Sequence, residues 1–137
     1  MLRMKDFVLF AVTIVFMFIV DIVWIGAIAM PFYRAQLGTL LADTINWPAA
    51  LLFYVLYAIA LLVLVIKPAL KEASFKRALM YGALVGFTAY MTYDLTNLAT
   101  TRDWPLVLSL VDMVWGTFLT TLVSGVVYGI GRKLRLS

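Results

Sequence analysis

Three aspartates, Asp21, Asp94 and Asp112, stand inside long apolar stretches of a 137-residue chain. A carboxylate in hydrocarbon costs about 3 kcal/mol or more to insert, so such a residue is expected to face a protein interior and to meet a proton, a cation or a hydrogen-bond donor there. The chain has no histidine and no cysteine. Imidazole bases, thiolate nucleophiles and disulfides are thereby excluded, no metal site is expected, and the sequence points to no particular cofactor. The chemistry left is that of carboxylates, hydroxyls or a group bound from outside.

The neighbours of each aspartate follow from helical spacing. Gly82, Gly86, Tyr90, Asp94 and Asn97 recur at steps of four, four, four and three, placing a small-residue groove and a polar stripe on one helix face. Ser109, Asp112, Gly116 and Thr120 form a similar stripe, and the two faces are expected to look at each other. Asp21 has Met17, Phe18, Trp24 and Ile25 around it, so its hydrogen bonds must come from another helix. Trp24 and Trp115 each follow an aspartate by three residues and can wall the acidic groups. The candidate ligand-binding set is Asp21, Asp94, Asp112, Asn97, Tyr90, Tyr93, Trp24 and Trp115. The alternative is structural: the aspartates hold helices together through Tyr90, Tyr93, Thr96, Asn97 or Ser109, while Trp24 anchors at an interface and Trp115 packs.

The elements that must position these groups are apolar runs. With 65% hydrophobic and 13% charged residues, the composition belongs to a chain dissolved in lipid. Runs over Phe7–Ala29, Pro48–Ile66, Ala78–Thr100 and Leu106–Ile130 are long enough to cross about 30 Å of hydrocarbon at about 1.5 Å per residue. Each must satisfy its own backbone, so helices are required. The expected fold is an all-α integral membrane protein, one domain over 1–137, with four transmembrane helices (about 7–29, 48–66, 78–100 and 106–130) in a compact bundle. The first run is preceded by basic residues but lacks a small-residue cleavage site, and is expected to be retained.

Nine of the eleven basic residues fall before the first run, between the second and third, and after the fourth; Arg34 and Arg102 alone lie on the other side. This bias predicts both termini in the cytoplasm. The basic residues sit at the ends of apolar runs, which argues for anchoring and against nucleic acid binding. On this orientation all three aspartates lie at one depth, about 9–12 Å below the outer edge. Trp47-Pro48 and Trp104-Pro105 mark the outer starts of the second and fourth helices. The first helix is expected to stop at Met30 and Pro31. The outer loop beyond it carries Tyr33, Leu37, Leu40 and Leu41 at helical spacing and is expected to lie on the membrane surface.

Asp21 with Trp24, Pro31-Phe32-Tyr33-Arg34, Gln36-Leu37-Gly38, Tyr93-Asp94-Leu95-Thr96-Asn97, and Asp112 with Trp115-Gly116-Thr117 together resemble the bacterial membrane protein family catalogued as domain of unknown function 2177. The resemblance spans nearly the whole chain. It implies the four-helix architecture and a multi-pass place in a bacterial cytoplasmic membrane, and assigns no residue a role. Three functional readings follow from the residues. The leading one is binding or movement of a small cation, proton or amphiphile, with a transporter of this size working as a homo-oligomer. A second is a membrane enzyme acting on a lipid, with an aspartate as general acid or base and others holding substrate or a divalent metal. The third is an accessory subunit that meets partner membrane helices through Gly82, Gly86, Gly125 and Gly129.

Overall fold

The computed structural model describes residues 3–136; residues 1, 2 and 137 of the expected domain lie outside it. Helix α1 (Met4–Trp24) buries Asp6, Leu9, Thr13, Met17 and Asp21, a stripe at steps of three and four along one face. Its other faces present Val15, Ile19, Ile22 and Val23 to the surroundings. Asp6, Thr13 and Asp21 are turned inward beside Leu9 and Met17, and the outward faces are apolar, the arrangement that suits lipid.

This helix does not stop at Met30 and Pro31. It passes through a wide turn, Ile25–Ala29, in which the Met30 N–H donates to the Ile25 carbonyl five residues back, and continues as α2 (Met30–Leu37). A proline ring clashes with the carbonyl four residues upstream and brings no N–H of its own. A turn widened by one residue moves that carbonyl away and lets the helix run on. Gly38, at φ 52°, then ends the helix in a backbone conformation that glycine takes without strain. The expected surface segment is thus a continuation of the first helix.

The device recurs in the second stretch. Helix α3 (Trp47–Leu61) starts with Pro48 in its first turn and the Asn46 side chain accepting from the Ala49 N–H at 3.2 Å. It widens over Leu62–Ile66, where the Lys67 N–H donates to the Leu62 carbonyl, immediately before Pro68 in α4 (Lys67–Lys71). The expected inner loop from Lys67 to Arg77 therefore contracts to residues 72–74, where Ala73 takes a positive φ of 51°. Ser74 caps α5 (Phe75–Thr100) by accepting from the Arg77 N–H at 3.1 Å. Helix α6 (Leu106–Lys133) begins directly after Pro105.

Helix α6 is the centre of the assembly and contacts α1, α5 and the wide turn after α3. Its closest partner is α5, because glycine lets the backbones approach. A Cβ added at Gly86 would lie 2.6 Å from the Gly116 carbonyl oxygen and 2.6 Å from the Thr120 Cβ, and one at Gly82 would lie 2.7 Å from the Ser124 Oγ. Leu9, Met17, Leu61, Val65, Ile66, Leu119, Val123 and Val127 fill the core between helices. Of the four glycines considered for partner contacts, Gly82, Gly86 and Gly125 are already used within the chain; Gly129 has open space beside it.

Among the described residues all regular structure is helical. Three stretches, Met4–Leu40, Trp47–Lys71 and Leu106–Lys133, are long and apolar enough to cross a membrane. Helix α5 has comparable length, but Gly82, Gly86, Thr88, Tyr90, Thr92, Tyr93 and Asp94 dilute its apolar composition.

Candidate functional site

All three aspartates are turned inward, with 8%, 0% and 9% of Asp21, Asp94 and Asp112 exposed. They are not joined in one hydrogen-bonded group, although Asp21 lies within electrostatic range of Asp112. Asp21, on the buried stripe of α1, is held by two donors: the Tyr54 hydroxyl from α3 donates to one oxygen, and Trp115 Nε1 from α6 donates to the other at 3.4 Å. The Tyr54 ring is itself fixed edge-on against Phe18, with centroids 5.3 Å apart. This carboxylate ties α1, α3 and α6 together.

Asp94 and Asp112 face each other across the α5–α6 contact, close enough for their carboxyl groups to interact directly. Both line a cavity of about 250 Å³ whose other walls are Tyr33, Leu37, Leu41, Tyr93, Trp104 and Leu108. Asp112 Oδ1 accepts from the Tyr33 hydroxyl at 3.0 Å. Neither oxygen of the fully buried Asp94 has a hydrogen-bond donor other than the Asp112 carboxyl group it faces. Its backbone carbonyl is better served: Ser109 Oγ donates to it at 3.3 Å and in turn accepts from Trp104 Nε1 at 3.0 Å. The Trp104 ring meets Tyr93 edge-on at 5.7 Å, closing one aromatic wall.

Aromatic rings accompany the acidic groups. Trp24 stacks on Trp115, with centroids 4.3 Å apart and planes 8° from parallel. Tyr90 covers Gly116, where any Cβ would overlap its ring, and lies within electrostatic range of both Asp21 and Asp112. The expected facing of the α5 and α6 stripes is therefore present down to individual side chains.

Asn97 departs from its expected place. Its Nδ2 donates to the Tyr93 carbonyl at 2.9 Å and its Oδ1 accepts from Thr101 Oγ1 at 3.1 Å, so it serves the end of its own helix instead of the cavity. Tyr33, Tyr54 and Trp104 are the contributors that sequence reasoning did not place. The Pro31-Phe32-Tyr33-Arg34 segment was a signal for Tyr33, hidden by reading Pro31 as a stop.

Lys67 pairs with Asp6 at 2.8 Å and Arg77 with Glu72 at 3.1 Å; among the described residues no ion pair joins Arg34 or Arg102 to the acidic groups. Nor do three metal-ligating side chains converge anywhere among these residues. The Asp94–Asp112 pair, walled by Tyr33, Tyr93 and Trp104, presents two acidic groups of which only Asp112 has a hydroxyl donor. Such a pair accepts positive charge.

A family model described as a predicted membrane protein, DUF2177, matches residues 7–129. The chain belongs to this family. Comparison with curated proteins and with solved structures gives no match. Membership in DUF2177 and the three apolar helices agree on a multi-pass membrane location.

Proposed function

We propose that this DUF2177 member crosses the membrane four times, with α5 as the remaining span and both termini in the cytoplasm, and that its Asp94–Asp112 cavity binds a small cationic ligand from the outer side. The observation that supports this most directly is Asp94 itself: it is fully buried, it lines a cavity, and apart from the Asp112 carboxyl group neither of its oxygens has a donor. Leaving a buried carboxylate without a donor is costly, and a cation entering the cavity would relieve that cost for Asp94 and Asp112 together. Aromatic rings on two sides and a volume of about 250 Å³ favour a small organic ammonium over a hydrated metal ion, since ring faces attract such cations and the oxygen ligand set is sparse. Burying α5 against α6 through its glycine and aspartate face leaves Leu84, Phe87 and Leu95 exposed, a surface suited to lipid.

Asp21 receives a different role. With two donors already in place, it acts as interhelical glue.

The test is a thermal-shift series in neutral detergent on wild type, Asp94→Asn and Asp112→Asn, with tetramethylammonium, alkali cations and magnesium across pH. Tetramethylammonium is expected to stabilise wild type by about 2.7 kcal/mol at a hundredfold excess over its dissociation constant, and to leave two folded Asn variants unmoved. Equal responses in all three proteins would remove the binding site. Stabilisation of wild type by lower pH alone, with no response to any cation, would replace the ligand by a proton shared within the pair.

A further inference from the structure

A second cavity, of about 790 Å³, lies at the opposite end of the bundle from the acidic pair and is lined by Arg3, Lys5, Asp6, Val63, Lys67, Pro68, Leu70, Lys71, Glu72 and Leu136. Its polar lining holds four cationic side chains, Arg3, Lys5, Lys67 and Lys71, against two carboxylates. The rest of the lining is apolar. Lys67 is fixed over the cavity by its ion pair with Asp6 at 2.8 Å, and Asp6 is held in turn by the Arg3 backbone N–H at 3.1 Å. The rim of the cavity is therefore tied to the start of α1 and to α4.

We propose that this cavity is a headgroup site for an anionic phospholipid, the phosphate lying among Arg3, Lys67 and Lys71 and an acyl chain running down α3. Two features favour a lipid over a free phosphate. Val63, in the wide turn after α3, belongs both to the cavity wall and to an exposed apolar face that continues onto α3 through Ile59 and Leu56, so a chain attached to the phosphate would find an apolar track starting at the cavity itself. The excess of positive charge sits where the apolar wide turn after α3 gives way to Lys67, the level at which anionic headgroups meet a membrane protein. This site is separate from the Asp94–Asp112 cavity, and each stands without the other.

The experiment uses the full chain in neutral detergent. Native mass spectrometry and thermal shift are read with phosphatidylglycerol, with phosphatidylcholine of the same chains, and with inorganic phosphate. The proteins compared are wild type, a double variant R3Q/K71Q, and R132Q/K133Q, which loses the same charge from exposed residues outside the cavity. Phosphatidylglycerol is expected to bind and stabilise wild type and R132Q/K133Q alike, and to bind R3Q/K71Q about tenfold more weakly. Phosphatidylcholine and phosphate should have little effect on any of the three. Equal retention of the two lipids, or equal loss in the two double variants, would overturn the site, since either means bulk electrostatics or nonspecific packing. Stabilisation by inorganic phosphate alone, as strong as by the lipid, would overturn the assignment to a phospholipid. If R3Q/K71Q does not fold, Lys71→Gln alone decides by the same comparison with Lys133→Gln.

Discussion

Trp115 stacks face to face on Trp24 at 4.3 Å and, from the same ring, donates its Nε1 hydrogen to Asp21 at 3.4 Å. One side chain thus joins α1 to α6 twice, once by π-surface and once by a polar bond. Trp115→Phe keeps an aromatic ring and removes the donor, and is expected to lower stability by about 1 kcal/mol. Trp115→Ala removes both and should cost about 3 kcal/mol or more. Equilibrium unfolding in detergent measures each, and indistinguishable losses would show that the hydrogen bond contributes nothing.

The α5–α6 contact makes a sharper prediction, because two glycines in comparable helices differ in surroundings. Gly86→Leu must push against the Gly116 backbone and Thr120 and should destabilise by about 1 to 3 kcal/mol. Gly129→Ala meets nothing within 4 Å and should be neutral, or stabilising by up to about 1 kcal/mol through the backbone. Melting temperatures of the two variants give the comparison. A tolerated Gly86→Leu would mean that the helices do not meet there.

Two tyrosines that look alike in the sequence should separate on removal of one oxygen. Tyr54→Phe takes a donor from Asp21 and should lower stability by about 1 kcal/mol with ligand response intact. Tyr33→Phe takes the donor from Asp112 at the cavity and should weaken cation binding severalfold with a smaller change in melting temperature. Loss of stability without change in affinity at Tyr33 would assign it to structure instead.

Orientation is tested without background labelling because the chain has no native cysteine. Gln36→Cys should react with an impermeant thiol reagent from outside intact cells, and Lys71→Cys only after the membrane is opened. Labelling of Lys71→Cys from outside would reverse the topology.

How far the residues disclosed this arrangement depended on the kind of interaction. The glycine groove and the inward aspartates were legible because both are set by helical periodicity within one element and by the cost of charge in lipid. Asn97 was misplaced because position on a face does not decide how a side chain bonds: three residues beyond Asp94, it finds the Tyr93 carbonyl of its own helix. Tyr54 gave no signal, since a tyrosine in an apolar run looks the same whether its hydroxyl meets solvent, headgroups or a carboxylate on another helix. The division of the acidic layer into a braced Asp21 and a donor-poor Asp94 depends on which helices adjoin, information that spacing within a helix does not carry.

The wide turn over Ile25–Ala29 has a consequence for angular phase. Asp21 and Tyr33 are twelve positions apart, which on a regular helix would set them about 120° apart around the axis. A turn with five-residue spacing absorbs one position as an insertion would, so the effective separation is eleven positions and the mismatch falls to about 20°. Tyr33 thereby comes onto the side of the helix that Asp21 shares with α6, within reach of Asp112. The helix works as a two-segment camshaft in which the irregular turn sets the timing of the second lobe. A single-residue change of length there, far more than most substitutions on the surface, would decide whether the tyrosine arrives at the acidic pair or at lipid.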